Sequence, residues 1–189
     1  MIARRLAAAG ALALAALSAP ALAQAAPIVP SQAILAAHEF PFGSTSYQLK
    51  DETIDFTGAE SADDSPCERS LRDAMAAIAG TKAMSAEAKR GTTTISSAIV
   101  ARSYTDRVAK IDEACDDGAA RQQNLAAPPD LARYTSHITT YRGSSIDSWV
   151  DVRGVTVSVQ VYSSGSNAVD SEAFWQTLRA QVAKVERQP

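Results

Sequence analysis

The chain has 189 residues, 46% of them hydrophobic, 21% charged and 6% aromatic, with two cysteines, two histidines and a formal charge of −3. Charge so sparse and balanced excludes a disordered chain, and nine glycines with eight prolines exclude collagen-like or linker-dominated ones. The acidic balance offers no basic footprint for nucleic acid, and one cysteine pair is too little for a disulfide-dense scaffold. One globular domain of ordinary size remains.

Met1-Ile2-Ala3-Arg4-Arg5 is a short positive region, and the uncharged Ala/Leu run from Leu6 to Leu17 follows it. Ser18-Ala19-Pro20-Ala21-Leu22-Ala23 then ends in small residues, the pattern of a cleavable secretory signal. The expected cut falls after Ala23, with Ala25 as the alternative. The apolar run before Pro20 is too short to span a bilayer comfortably, and no basic stop-transfer cluster follows. The chain is therefore expected to be exported, to the periplasm or the extracellular space, with no stable membrane insertion of its mature form. Losing Arg4 and Arg5 with the signal moves the formal charge from −3 to −5, which disfavours anionic lipid and nucleic acid.

The expected organisation is a signal peptide over 1–23, a flexible leader over 24–44 and one α+β domain over 45–186. The leader holds two prolines and the segment His38-Glu39-Phe40-Pro41-Phe42-Gly43. Beyond it, Tyr47 and Leu49 register with Phe56 and Ile54 if Asp51-Glu52 makes a hairpin turn. Asp-Glu suits such a turn poorly, so a single bent strand is the alternative.

A first helix is expected after Asp64 or Ser65 as N-cap, with Pro66 in its first turn and Gly80 at its end. Cys67, Leu71, Met75 and Ile78 share one of its faces. Ala101, Tyr104, Val108, Ile111 and Cys115 are spaced for a second helix. Cys67 opens one helix and Cys115 closes the other, so antiparallel packing brings the sulfurs together as a disulfide. An unbroken helix from Ser85 to Cys115 would run about 45 Å against about 21 Å for its partner, so a break is expected at Gly91-Thr92-Thr93-Thr94.

The C-terminal third alternates. Val155, Val157, Val159 and Val161 interleave with Thr156, Ser158, Gln160 and Tyr162, and Ile146, Val150 and Val152 fit an earlier strand turned at Arg153-Gly154. That register sets Val152 against Val155, Val150 against Val157 and Ile146 against Val161. The other face then carries Asp147, Trp149 and Asp151 beside Thr156, Ser158 and Gln160. Tyr134 to Tyr141 supplies a third strand whose facing depends on a four- or five-residue loop. After Asp170 or Ser171, Phe174, Leu178, Val182 and Val185 stripe a helix expected to cross the valines. The fold class is α+β: an antiparallel sheet, built of a C-terminal three-stranded meander and an N-terminal hairpin, packed against helices on one face.

Catalytic patterns are scarce. Gly43-Ser44-Thr45-Ser46 and Gly143-Ser144-Ser145 are turns rather than nucleophile elbows. His38-Glu39 lacks the second histidine of a zinc helix, and Asp112-Glu113 with Asp116-Asp117 lacks the ligand spacing of a calcium loop. No phosphate loop or dinucleotide fingerprint occurs, so no cofactor and no metal are expected. The feature that stands out is a candidate ligand face of Asp147, Trp149, Asp151 and Arg153, a flat ring among hydrogen-bonding groups that suits a sugar or peptide. The alternative places Trp149 under a covering helix or under the leader. The expected function is that of an exported, non-catalytic domain binding a protein, glycan or small ligand. A small hydrolase centred on His137 with Asp147 or Asp151 is one alternative. An envelope assembly factor using residues 24–44 as a docking arm is another.

Overall fold

Residues 26–56, 64–115, 122–164 and 167–189 are described by a computed structural model of the chain. The expected signal peptide and the pair Asp116-Asp117 lie outside those residues. The described elements, in chain order, begin with α1 (Pro30–Ala33), a 3₁₀ turn (Ala37–Glu39), β1 (Thr45–Thr53), α2 (Pro66–Ile78), β2 (Lys82–Arg90) and β3 (Thr93–Val100). They continue with α3 (Thr105–Cys115), β4 (Gln122–Asn124), β5 (Ser136–Tyr141), β6 (Ser145–Val152), β7 (Val155–Ser163) and α4 (Ser171–Glu186). The strands form one antiparallel sheet in the order β1-β2-β3-β7-β6-β5-β4.

The alternating valines set the centre of this sheet. Val152 faces Val155, Val150 faces Val157 and Ile146 faces Val161, the register that the alternation predicts. Arg153 and Gly154 both have positive φ, +49° and +83°, so the β6–β7 connection is a two-residue primed turn whose twist matches its strands. Ile95, Ser97 and Ile99 of β3 extend the same face, opposite Val161, Val159 and Val157. Asp170 caps α4 by accepting from the Ala173 N–H at 3.0 Å. The helix lays Phe174, Leu178, Val182 and Val185 over β7, β6 and β3, all four buried. β5 pairs Thr140 with Ile146 and Tyr141 with Ser145, the parity of the five-residue loop, which puts His137 beside Trp149 on the polar face.

Three expectations are corrected. The N-terminal hairpin is a single strand: Leu49, Asp51 and Thr53 pair with Ala86, Met84 and Lys82, so no turn forms at Asp51-Glu52. Residues 82–100 are not helical before α3. They form the β2–β3 hairpin, whose turn begins at Gly91 with φ +60°. Glycine at that first central position is what a type II′ turn requires, so the expected break is a strand reversal. The helix-forming Ala, Lys and Glu of β2 are overridden by ladders on both sides.

The third correction concerns residues 24–44. Ile28, Ala33, Ile34, Leu35 and Phe40 are buried in the main apolar cluster with the valines and α4. Fully buried Gln181 of α4 accepts from the Leu35 N–H (3.1 Å) and the Ser97 hydroxyl (3.0 Å) and donates to the Ala33 carbonyl (2.7 Å). Tyr47 donates its hydroxyl to the Leu35 carbonyl, and Lys184 pairs with Glu39. A segment without helical or strand periodicity is held because a side chain satisfies its backbone where neighbouring strands do not reach. It covers the valine face beyond α4 and is no free docking arm.

Candidate functional site

The site grows from the two cysteines. Ser65 caps α2 by accepting from the Glu68 N–H, and Pro66 occupies the first helical position. Cys67 thereby sits in the first turn of α2, and Cys115 ends α3. The two helices pack together with their sulfurs bonded, 4.6 Å between Cα atoms.

This hairpin lies on the face opposite the valines. Asp151 and Thr156, cross-strand partners there, hold the start of α3. Asp151 Oδ1 accepts from the Thr105 hydroxyl (2.7 Å) and the Thr156 hydroxyl (2.6 Å), and Thr156 Oγ1 accepts from the Tyr104 N–H (2.9 Å). Asp151 is thus a carboxylate at a helix N-terminus, where the helix dipole favours it. Further along α3, Asp112 Oδ2 lies 2.6 Å from His137 Nε2 and 2.6 Å from the Gln122 amide nitrogen. The face expected to be open is therefore crossed by α3 at β5 and β6.

Trp149 is set between these ties. Its ring stands 6.1 Å from that of His137, and the Tyr104 phenol lies near enough for the indole to act on its titration. Burial pushes the Tyr104 phenol up to about 12, with the Asp151 charge adding to the rise and the Trp149 bond opposing it. Tyr104 is neutral at physiological pH.

Two concavities flank the His137–Trp149 pair. A cleft of about 500 Å³ between α3 and the β4–β5 edge is lined by Asp112, Glu113, Gln122, Asn124, His137, Ala109 and Cys115. A smaller one, about 270 Å³, opens on the sheet over Ser96, Ala98, Asp147, Trp149, Ser158 and Gln160. Asp147 accepts from the Gln160 amide (2.5 Å) and the Ser145 hydroxyl (3.3 Å). Burial raises its pKa above the usual carboxylate value and the Asp112 charge raises it further, while the Gln160 and Ser145 bonds oppose the rise. Among the described residues, no three His, Cys, Asp or Glu side chains converge as metal ligands.

The structure therefore divides the four candidate ligand residues. Asp147 and Trp149 line the smaller cleft. Asp151 is committed to α3. Arg153 leaves the polar face altogether: its positive-φ turn swings the guanidinium to the C-terminal end of α4, where it donates to the carbonyls of Val185, Glu186, Gln188 and Pro189. The sequence reading missed Asp112, Gln122 and Gln160 as site residues. Gln160 was legible as the partner of Asp147 in the β6–β7 register, whereas Asp112 and Gln122 meet His137 only through tertiary packing. Neither Asp147 nor Asp151 is the carboxylate on His137, and among the described residues no hydroxyl is bonded to that ring.

No protein-family model matches the chain, and no curated protein matches it. Among solved structures it is similar to the extracellular domain of PknH from Mycobacterium tuberculosis, with a TM-score of 0.50 and 15% identity over 86% of this chain and 99% of that one. At that identity the likeness is one of fold: an antiparallel sheet with helices packed on it.

Proposed function

We propose that this chain is an exported, non-catalytic binding domain, periplasmic or extracellular, that takes a small ligand in the clefts beside Trp149. The observation that carries the reading is the arrangement of the polar face. A disulfide-tied pair of helices roofs only part of it, and polar groups are left lining concavities on both sides of the Trp149 ring. Pocket walls of this kind, an aromatic surface with a few placed hydrogen-bonding groups, are what small-ligand sites are made of. Export is supported by the signal pattern at residues 1–23 and by a disulfide, which persists in oxidising compartments.

The test has two parts. The chain is expressed with its own signal sequence, and intact mass of the exported product shows a start at Gln24 or Ala26 and two hydrogens fewer than the reduced mass. The ¹⁵N spectrum of that product is then recorded with pools of sugars, amino acids and amines. Shifts confined to Trp149, Ser158, Gln160 and Asn124 support the reading; a cytosolic, unprocessed, reduced chain with no shifts defeats it.

The 2.6 Å His137–Asp112 contact in the larger cleft favours a second reading, a small hydrolase using this pair as general base. Turnover of activated esters that disappears in His137→Ala would establish it.

A further inference from the structure

The smaller cleft has an unbalanced charge. Asp147 is half-buried in its wall, and its partners, Gln160 and Ser145, are neutral. Among the described residues no lysine, arginine or histidine pairs with it. The charge that acts on it is another carboxylate, Asp112. Among the described residues no cationic side chain lines this cleft, and the larger one beside it adds Glu113 to Asp112. A carboxylate taken partly out of water without a counter-charge is a cost to the fold that neutral hydrogen bonds offset only in part.

The rest of the lining complements a cation. Trp149 lines it, with the His137 ring 6.1 Å away on its other side, and a π face attracts a positive charge. Asp147 accepts two bonds and has lone pairs to spare, and the hydroxyls of Ser96 and Ser158 add further acceptors around it. Three donors on one cationic nitrogen match that set. An anion would meet only like charge, and a neutral sugar would leave the carboxylate uncompensated. Ala98 and the two serines keep the floor shallow in side-chain bulk, and about 270 Å³ lies at the small end of ligand pockets.

We infer that this cleft is a site for a small primary ammonium compound, its charged nitrogen on Asp147 and its carbon skeleton against Trp149. The inference rests on the binding-domain reading above and specifies the ligand of its smaller cleft.

The experiment uses the oxidised, exported chain and follows the Trp149 indole and the Ser158 and Gln160 amides by NMR. The probes are n-butylammonium chloride, 1-butanol as its uncharged counterpart, and glucose. Butylammonium is expected to shift these signals saturably and 1-butanol not to. Asp147→Asn keeps the side-chain shape and removes the charge, and is expected to weaken butylammonium at least about tenfold, the scale of a lost charge-assisted bond. Glu172→Gln, exposed in the first turn of α4 and outside both clefts, is expected to change it less than about threefold. Equal binding of butylammonium and butanol, or an Asp147→Asn variant with unchanged affinity, overturns the inference. Saturable glucose binding at these signals without butylammonium binding overturns it while leaving the binding-domain reading standing. Silence from all three probes removes the inference and strips the smaller cleft from that reading, which then depends on the larger cleft alone.

Discussion

Replacing Gln181 with leucine tests whether residues 28–40 belong to the cooperative core. The exchange roughly conserves volume and removes only the amide. Three buried groups then lose a partner: the Leu35 N–H, the Ala33 carbonyl and the Ser97 hydroxyl. A buried backbone group left unpaired costs about 1–3 kcal/mol, and the serine hydroxyl, free to rotate, costs less. The expected loss is about 3–5 kcal/mol, a large share of the roughly 5–15 kcal/mol by which domains are stable. With a urea m-value of about 2 kcal/mol/M, the unfolding midpoint falls by about 2 M at an unchanged slope. Combining the change with Ser97→Ala should cost less than the two separate losses together, because they share a bond. Hydrogen exchange at the Leu35 amide should accelerate in parallel. A loss under about 1 kcal/mol with that amide still protected would refute the reasoning, since another interaction would then be holding the segment.

Converting Cys67 and Cys115 to serine opens a loop with a sequence separation of 48, and the chain-entropy relation puts the loss at about 4 kcal/mol; urea unfolding that shows under about 1 kcal/mol would mean that α2 and α3 hold each other without the bond. Asp147→Asn should raise thermal stability at pH 7. Burial lifts the folded-state pKa of Asp147 above its unfolded value, so the native state binds the extra proton and stability falls as pH rises through that interval. Thermal scans from pH 3 to 7 should show this decline reduced in the asparagine variant, and an identical pH profile would contradict the assignment. Arg153→Ala should cost about 1 kcal/mol and fray α4 from its C-terminal end, read as faster amide exchange at Ala183 to Arg187, because the guanidinium covers carbonyls at the negative pole of the helix.

Much of this architecture can be read directly from residue order, and the reasons are local. The β6–β7 register follows from a period of two in the valines combined with a two-residue turn that admits only one pairing. The caps of α2 and α4 are narrowed to Asp64 or Ser65 and to Asp170 or Ser171, and the structure selects Ser65 and Asp170. The β2–β3 hairpin shows where such reasoning ends. Lys82 to Arg90 carries helix-forming residues, and only the ladders to β1 and β3 make it a strand. Arg153 makes the same point at the candidate site: a turn residue at φ +49° does not follow strand alternation, so its placement on the ligand face fails.

From its residues alone, the chain determined the pairing of its two cysteines, the polar and apolar sides of its β6–β7 pair and the stripe of its last helix. Each depends on spacings of a few residues or on helix lengths that geometry bounds. Only tertiary structure decided that α3 would cross the polar side, that Asp112 rather than Asp147 would meet His137, and that Gln181 would anchor residues 33–35. Those contacts join positions as many as 148 residues apart in sequence, and no periodic pattern encodes a partner at that range. They arise when burial forces each polar group to find whatever complement the packed elements have brought within reach.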